Sequence, residues 1–149
     1  MSGNVNPGQL KVVCFSCKFS WGYLVDEAII AAKVKNWIPV ICTGKIDAPQ
    51  IMEAFRKGAD GVLILACPQG DCHFQDGNCE ARKKVHLLRH VLASQGIEPE
   101  RLQIELGSDP EGTSIPDYIT RMNRAIAQLE IRRAENRVSL NAGGDRREQ

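Results

Sequence analysis

At 149 residues, with 43% hydrophobic and 25% charged side chains, the chain suits one globular domain with a proper core rather than two. A formal net charge of +1 leaves no concentrated basic face and argues against nucleic-acid or membrane-surface binding. No apolar run approaches the roughly 20 residues of a membrane span. Residues 1–8 also lack the basic and apolar regions of a secretory signal, so the cytoplasm is the expected compartment.

Residues 1–10 are polar, with Gly and Pro, and read as a flexible lead-in. Residues 11–15 are β-branched and apolar on both faces, as in a buried strand. An amphipathic helix is expected from Tyr23 and Leu24 through Ala28, Ile29, Ile30, Ala31 and Ala32, with Asn36 as its stop. Residues 37–42 form a second apolar strand in which Pro39 favours an edge position. Asp47 and Gln50 make a capping box for a short helix with Ile51, Met52 and Phe55 on its buried stripe, ended by Gly58. Residues 61–66 are the most apolar strand-like run in the chain.

Residues 67–79 then turn glycine-rich and polar. Helical spacing returns over residues 80–95, with Val85, Leu87, Leu88, Val91 and Leu92 recurring and Gly96 closing the helix. Residues 101–106 alternate as a half-exposed strand does. A last helix begins near Ser114 and carries Tyr118, Ile119, Met122, Ala125, Ile126 and Leu129. From Arg132 the apolar stripe fades, and residues 132–149 read as a disordered tail. The expected fold is α/β: one domain over residues 11–131, a small parallel sheet of about four strands with helices on both faces, flavodoxin- or Rossmann-like.

All six cysteines fall in the first 79 residues. In a reducing compartment such a cluster points to metal or redox chemistry rather than a disulfide framework. In a parallel sheet the strand-to-helix loops share one edge, where ligands bind. Cys14 and Cys17 are expected at the end of the first strand, Cys42 at the second, and Cys67 at the third, with Cys72 in the same loop. Four thiolates satisfy an iron–sulfur cluster or a structural zinc. Four of these five cysteines are therefore expected as metal ligands.

Cys14-x-x-Cys17 also permits a dithiol oxidoreductase, and zinc would make the chain an assembly subunit. Cys14 and Cys67 have a plain alternative as core residues, since free cysteine is often buried. Cys79 and His73 are kept as additional ligand positions, the histidine more readily bonded to backbone. His86 and His90 share a helix face without further metal-site pattern and read as solvated. Nothing here supports a catalytic role, and the chain is expected to be non-catalytic.

Several segments carry a family likeness: Cys14-Phe15-Ser16-Cys17, Cys42-Thr43-Gly44-Lys45 and Gly58-Ala59-Asp60-Gly61-Val62. To these are added Cys67-Pro68-Gln69-Gly70-Asp71-Cys72-His73-Phe74 with Gly77-Asn78, and Gly96-Ile97-Glu98-Pro99-Glu100-Arg101. Through them the chain, from about Lys11 to Leu129, resembles the delta (iron–sulfur) subunit of methyl-viologen-reducing, F420-non-reducing hydrogenase. The resemblance implies a 2Fe–2S protein of anaerobic metabolism. It would relay electrons from a hydrogenase or formate dehydrogenase module to the flavoprotein subunit of a heterodisulfide reductase-like complex. Cys14, Cys17, Cys42, Cys67 and Cys72 match the family pattern, whereas Cys79 departs from it.

Overall fold

The computed structural model describes residues 10–72 and 75–144. Strands β1 (Val12–Cys17), β2 (Trp37–Val40), β3 (Gly61–Ala66) and β4 (Leu102–Leu106) form one parallel sheet in the order β2-β1-β3-β4. Helices α1 (Glu27–Lys33), α2 (Ala48–Arg56) and α3 (Gly77–Ser94) make the crossovers, and α4 (Ile115–Gly144) follows the last strand. The α/β class and the parallel four-stranded sheet match the expectation.

Every residue of β1 and β3 is buried, because a central parallel strand is covered on both faces and reads as a continuous apolar run. Val12, Cys14, Leu63 and Leu65 pack under α1 and α4 through Ile30, Ile115, Met122 and Ile126. Val13, Phe15, Val62 and Ile64 pack on the other side against Ile51 of α2 and Val85, Leu88 and Leu92 of α3. The pleat assigns alternate residues to alternate layers. Pro39 lies on β2, an edge strand, where its missing N–H costs no ladder bond to a second neighbour.

From β1 the chain crosses outward to β2, then returns past β1 to reach β3. The loops leaving β1 and β3 thus diverge, opening a crevice at their carboxyl ends. The capping box at Asp47 and Gln50 forms as read, each side chain bonded to the other's backbone at 3.0–3.1 Å.

Three expectations need correction. The first helix does not start near Tyr23: it starts at Glu27, capped by Asp26, and Tyr23 and Leu24 are exposed. The cause is tertiary, since Gly22 N–H binds Asp109 O and Leu24 N–H binds Pro110 O, holding residues 21–25 against the loop after β4. The third helix begins at Gly77 rather than Glu80, which places Cys79 inside its first turn. Finally, residues 132–144 are not disordered: α4 continues to Gly144. A helix already begun propagates on after its apolar stripe ends, and Arg133 pins it by an ion pair to Glu98 at 3.4 Å. Apart from Leu10, the expected N-terminal lead-in lies outside the described residues, as does His73.

Candidate metal centre

The carboxyl ends of the strands gather the sulfur. Cys17 closes β1, Cys67 follows β3, and Cys42 precedes a short 3-10 turn, Thr43–Lys45, beyond β2. All three are at most 5% exposed. Cys72 lies farther along the β3–α3 loop and is half-buried.

The Cys67 thiol donates to Cys17 Sγ at 3.3 Å, and the Cys17 thiol reaches Ile41 O at 3.7 Å. Burial pushes the Cys17 thiol up to about 12. The bond with Cys67 and the nearby Cys67 and Cys42 sulfurs push the same way, against a bond from the Phe19 backbone. A Cβ built on Gly77 would overlap Cys42 Sγ and stand 3.5 Å from Cys72 Sγ. The Cys17 and Cys67 sulfurs are thus in contact, the Cys42 and Cys72 sulfurs both lie close to Gly77, and Cys17 senses Cys42. Among the described residues, no three His, Cys, Asp or Glu side chains stand close enough around one point to hold a single metal ion.

Cys14 is different. It is the third residue of β1, paired with Trp37 and Leu63, and fully buried among apolar side chains. Its thiol is pushed up to about 12 by burial alone. Cys14 and Cys17 both lie in β1, where residues 14–17 are extended; the two share one buried cluster with Cys67, and no helix among the described residues begins before Glu27. Cys79 also stands apart, lining a shallow cavity with Gln69, Arg82, Lys83 and His86. His86 and His90 pack edge to face at 5.0 Å on the exposed side of α3.

Helix α3 braces these loops. Gly44, in the Cys42 turn, is glycine because the first turn of α3 presses on it: a Cβ there would stand 2.7 Å from Gly77 Cα and O. Asn78, 1% exposed, donates its amide to Cys67 O (3.2 Å) and Pro68 O (2.8 Å), while its Oδ1 accepts from Cys79 N–H at 2.9 Å. Lys84 Nζ, two turns along, donates to Gly44 O (2.5 Å) and Ile46 O (3.2 Å). Trp21 closes the far side, its indole N–H on Ala66 O at 3.0 Å. The motif Gly77-Asn78 stands out in the sequence, but the parts played by Asn78, Lys84 and Trp21 do not. A polar residue that becomes fully buried at a helix start leaves no periodic pattern.

The chemistry of this donor set is that of soft thiolate ligands for iron–sulfur clusters or zinc. A family model described as methyl-viologen-reducing hydrogenase, delta subunit, matches residues 12–130. The iron-sulfur subunit of the F420-non-reducing hydrogenase of Archaeoglobus profundus is 33% identical over 125 residues, covering 79% of this chain and 89% of the relative. The iron-sulfur subunit of the F420-non-reducing hydrogenase vhu of Methanopyrus kandleri is 30% identical over 123 residues, covering 79% and 92%. One subunit of the ferredoxin:CoB-CoM heterodisulfide reductase of Methanosarcina mazei is 30% identical over 92 residues, which are 62% of this chain but 12% of that protein.

Proposed function

The chain belongs to the methyl-viologen-reducing hydrogenase delta subunit family, and from that premise we propose that it is an electron carrier holding a 2Fe–2S cluster on Cys17, Cys42, Cys67 and Cys72. One observation supports the ligand set: Cys17 and Cys67 sulfurs are in contact, Cys17 senses Cys42, and the Cys42 and Cys72 sulfurs lie close to Gly77 at the start of α3. Four thiolates of which no three surround one point among the described residues suit a dinuclear cluster, which spreads its ligands over two irons. A single zinc instead needs four sulfurs around one centre at about 2.3 Å. Cys14, extended and walled in by apolar side chains, is left to the core, which also tells against a dithiol enzyme working through Cys14 and Cys17.

When bound, the cluster supplies reversible one-electron chemistry. The chain's own part is to hold and shield it. Burial that keeps Cys17 protonated in the metal-free chain means that loading must release protons. The apolar walls keep water from three of the four ligands, and Cys72, the most open of them, marks the side nearest a partner. We assign the relay as running from a hydrogenase or formate dehydrogenase module to the flavoprotein subunit of a heterodisulfide reductase-like complex, in the cytoplasm. A stretch resembling this chain within one subunit of a heterodisulfide reductase supports that acceptor. No helix among the described residues is long and apolar enough to cross a membrane.

The test is anaerobic reconstitution with iron and sulfide, followed by metal and sulfide analysis, visible absorption and EPR after dithionite reduction. Equal iron and sulfide with a signal on reduction is expected. A colourless zinc protein, or full loading after Cys42→Ala, overturns the assignment.

A further inference from the structure

The brace formed by α3 touches the turn that carries Cys42 and the loop that carries Cys67 and Cys72, yet neither Asn78 nor Lys84 is placed to ligate. Asn78 spends all three of its hydrogen-bonding contacts on backbone: two carbonyls at Cys67 and Pro68 and the N–H of Cys79. It therefore sets how the chain leaves Cys67 on its way to Cys72. Lys84 clamps the carbonyls on either side of Lys45, in the turn that carries Cys42. Both of its partners are backbone carbonyls, so they do not cancel the ammonium's charge.

Resting on the reading of the quartet as a cluster site, we propose that Asn78 and Lys84 are its positioning residues. Asn78 fixes the path of the Cys67–Cys72 loop. Lys84 fixes the Cys42 turn and supplies a positive charge that favours the reduced, more negative state of the cluster. The two jobs separate on physical grounds. A buried amide donor facing two carbonyls is a matter of geometry, since replacing it leaves those carbonyls unpaired. A half-buried ammonium acts through its field, which is stronger in a low-dielectric crevice than in water. Groups that orient metal ligands from outside the coordination sphere typically cost about 10–100-fold in metal affinity when removed, and charge near an iron–sulfur cluster is one of the levers on its potential.

The experiment uses the full chain, reconstituted anaerobically, in wild-type form and as Asn78→Asp, Lys84→Gln and Lys84→Arg. It reads far-UV CD, iron and sulfide per chain, resistance to an iron chelator, EPR line shape and an EPR-monitored redox titration. Asn78→Asp keeps the size of the side chain but turns an acceptor toward the two carbonyls. It is expected to fold, to yield iron about tenfold or more readily to the chelator, and to show altered EPR line shape in what remains. Lys84→Gln keeps a hydrogen-bond donor without charge and is expected to load but titrate at lower potential, while Lys84→Arg restores the wild-type midpoint.

Failure of Asn78→Asp to fold would make Asn78 a residue of the fold alone and overturn its assignment, as would wild-type loading and line shape. An unchanged midpoint in Lys84→Gln overturns the role of the charge. Absence of iron and sulfide from the wild type would instead sink the cluster reading, and this inference with it.

Discussion

The two ends of the β-sheet are held by opposite means. At the amino ends of β3 and β4, Arg101 is 6% exposed and fully engaged. It donates to Glu98 at 2.8 Å, to Asp60 O at 3.0 Å and to Glu130 of α4. Burial works against its charge, but the two carboxylates win and hold the guanidinium above its ordinary pKa. Every strong group there has a strong partner. At the carboxyl ends lie buried thiols, Cys67 donating a hydrogen bond to Cys17 Sγ and Cys17 making a weak contact to a carbonyl, and they disfavour one another's ionisation. One end is complete in itself; the other carries the sulfurs proposed to hold the cluster.

Breaking the complete end has the largest expected effect on stability. Arg101→Met leaves two carboxylates around an apolar side chain, and removing one partner of a buried pair costs about 3–5 kcal/mol. Glu98 and Glu130 side chains are about a quarter exposed, so the lower figure is the better guide. Thermal denaturation of the metal-free chain should show the loss. Iron content after reconstitution should not change, since no ligand loop leans on Arg101.

The opposite pattern is expected at the sulfur end. Gly77→Ala drives a methyl group into Cys42 Sγ, an overpacking cost of about 1–3 kcal/mol, and most of the iron should be lost with the fold intact by CD. The comparison narrows further between two cysteines of one strand. Cys14→Ala removes a buried sulfur from the core, costs about 1–2 kcal/mol, and should leave iron and EPR unchanged, whereas Cys17→Ala should abolish loading. Iron retained by Cys17→Ala but lost from Cys14→Ala would reverse the assignment of the two.

The smallest effect is a pH slope. Cys14 rises from 9.0 to about 12 in the folded chain, so the folded state binds more protons between those values than the unfolded one. Its contribution is present in full below pH 9 and is lost as pH rises toward 12. Between about pH 9 and 10 the loss is about 1 kcal/mol. Denaturant midpoints of the metal-free chain across that range should fall, and Cys14→Val should lessen the fall, Cys17 keeping its own share.

Much of the fold was legible because its causes are local. The unbroken apolar run of residues 61–66, the alternation of residues 101–106 and the reciprocal cap at Asp47 and Gln50 each read directly as the elements observed. Pro39 pointed correctly to an edge. The start of α1 was illegible because backbone bonds to Asp109 and Pro110, far along the chain, hold Tyr23 and Leu24 out of the helix. The end of α4 was misjudged because a fading apolar stripe marks loss of burial, and exposed residues such as those after Arg132 still propagate a helix already begun.

What the chain order determined is that the cysteines meet: parallel strands put Cys17, Cys42 and Cys67 at one edge whatever the details. Which sulfurs come into contact was decided only in three dimensions, where Cys17 meets Cys67. The C-x-x-C spacing is blind to whether it is wound or extended, and here it is extended. The brace of Gly44, Gly77, Asn78 and Lys84 is likewise a product of α3 packing over the Cys42 turn. Contacts of that kind depend on two segments arriving at one place, which no local pattern in either of them records.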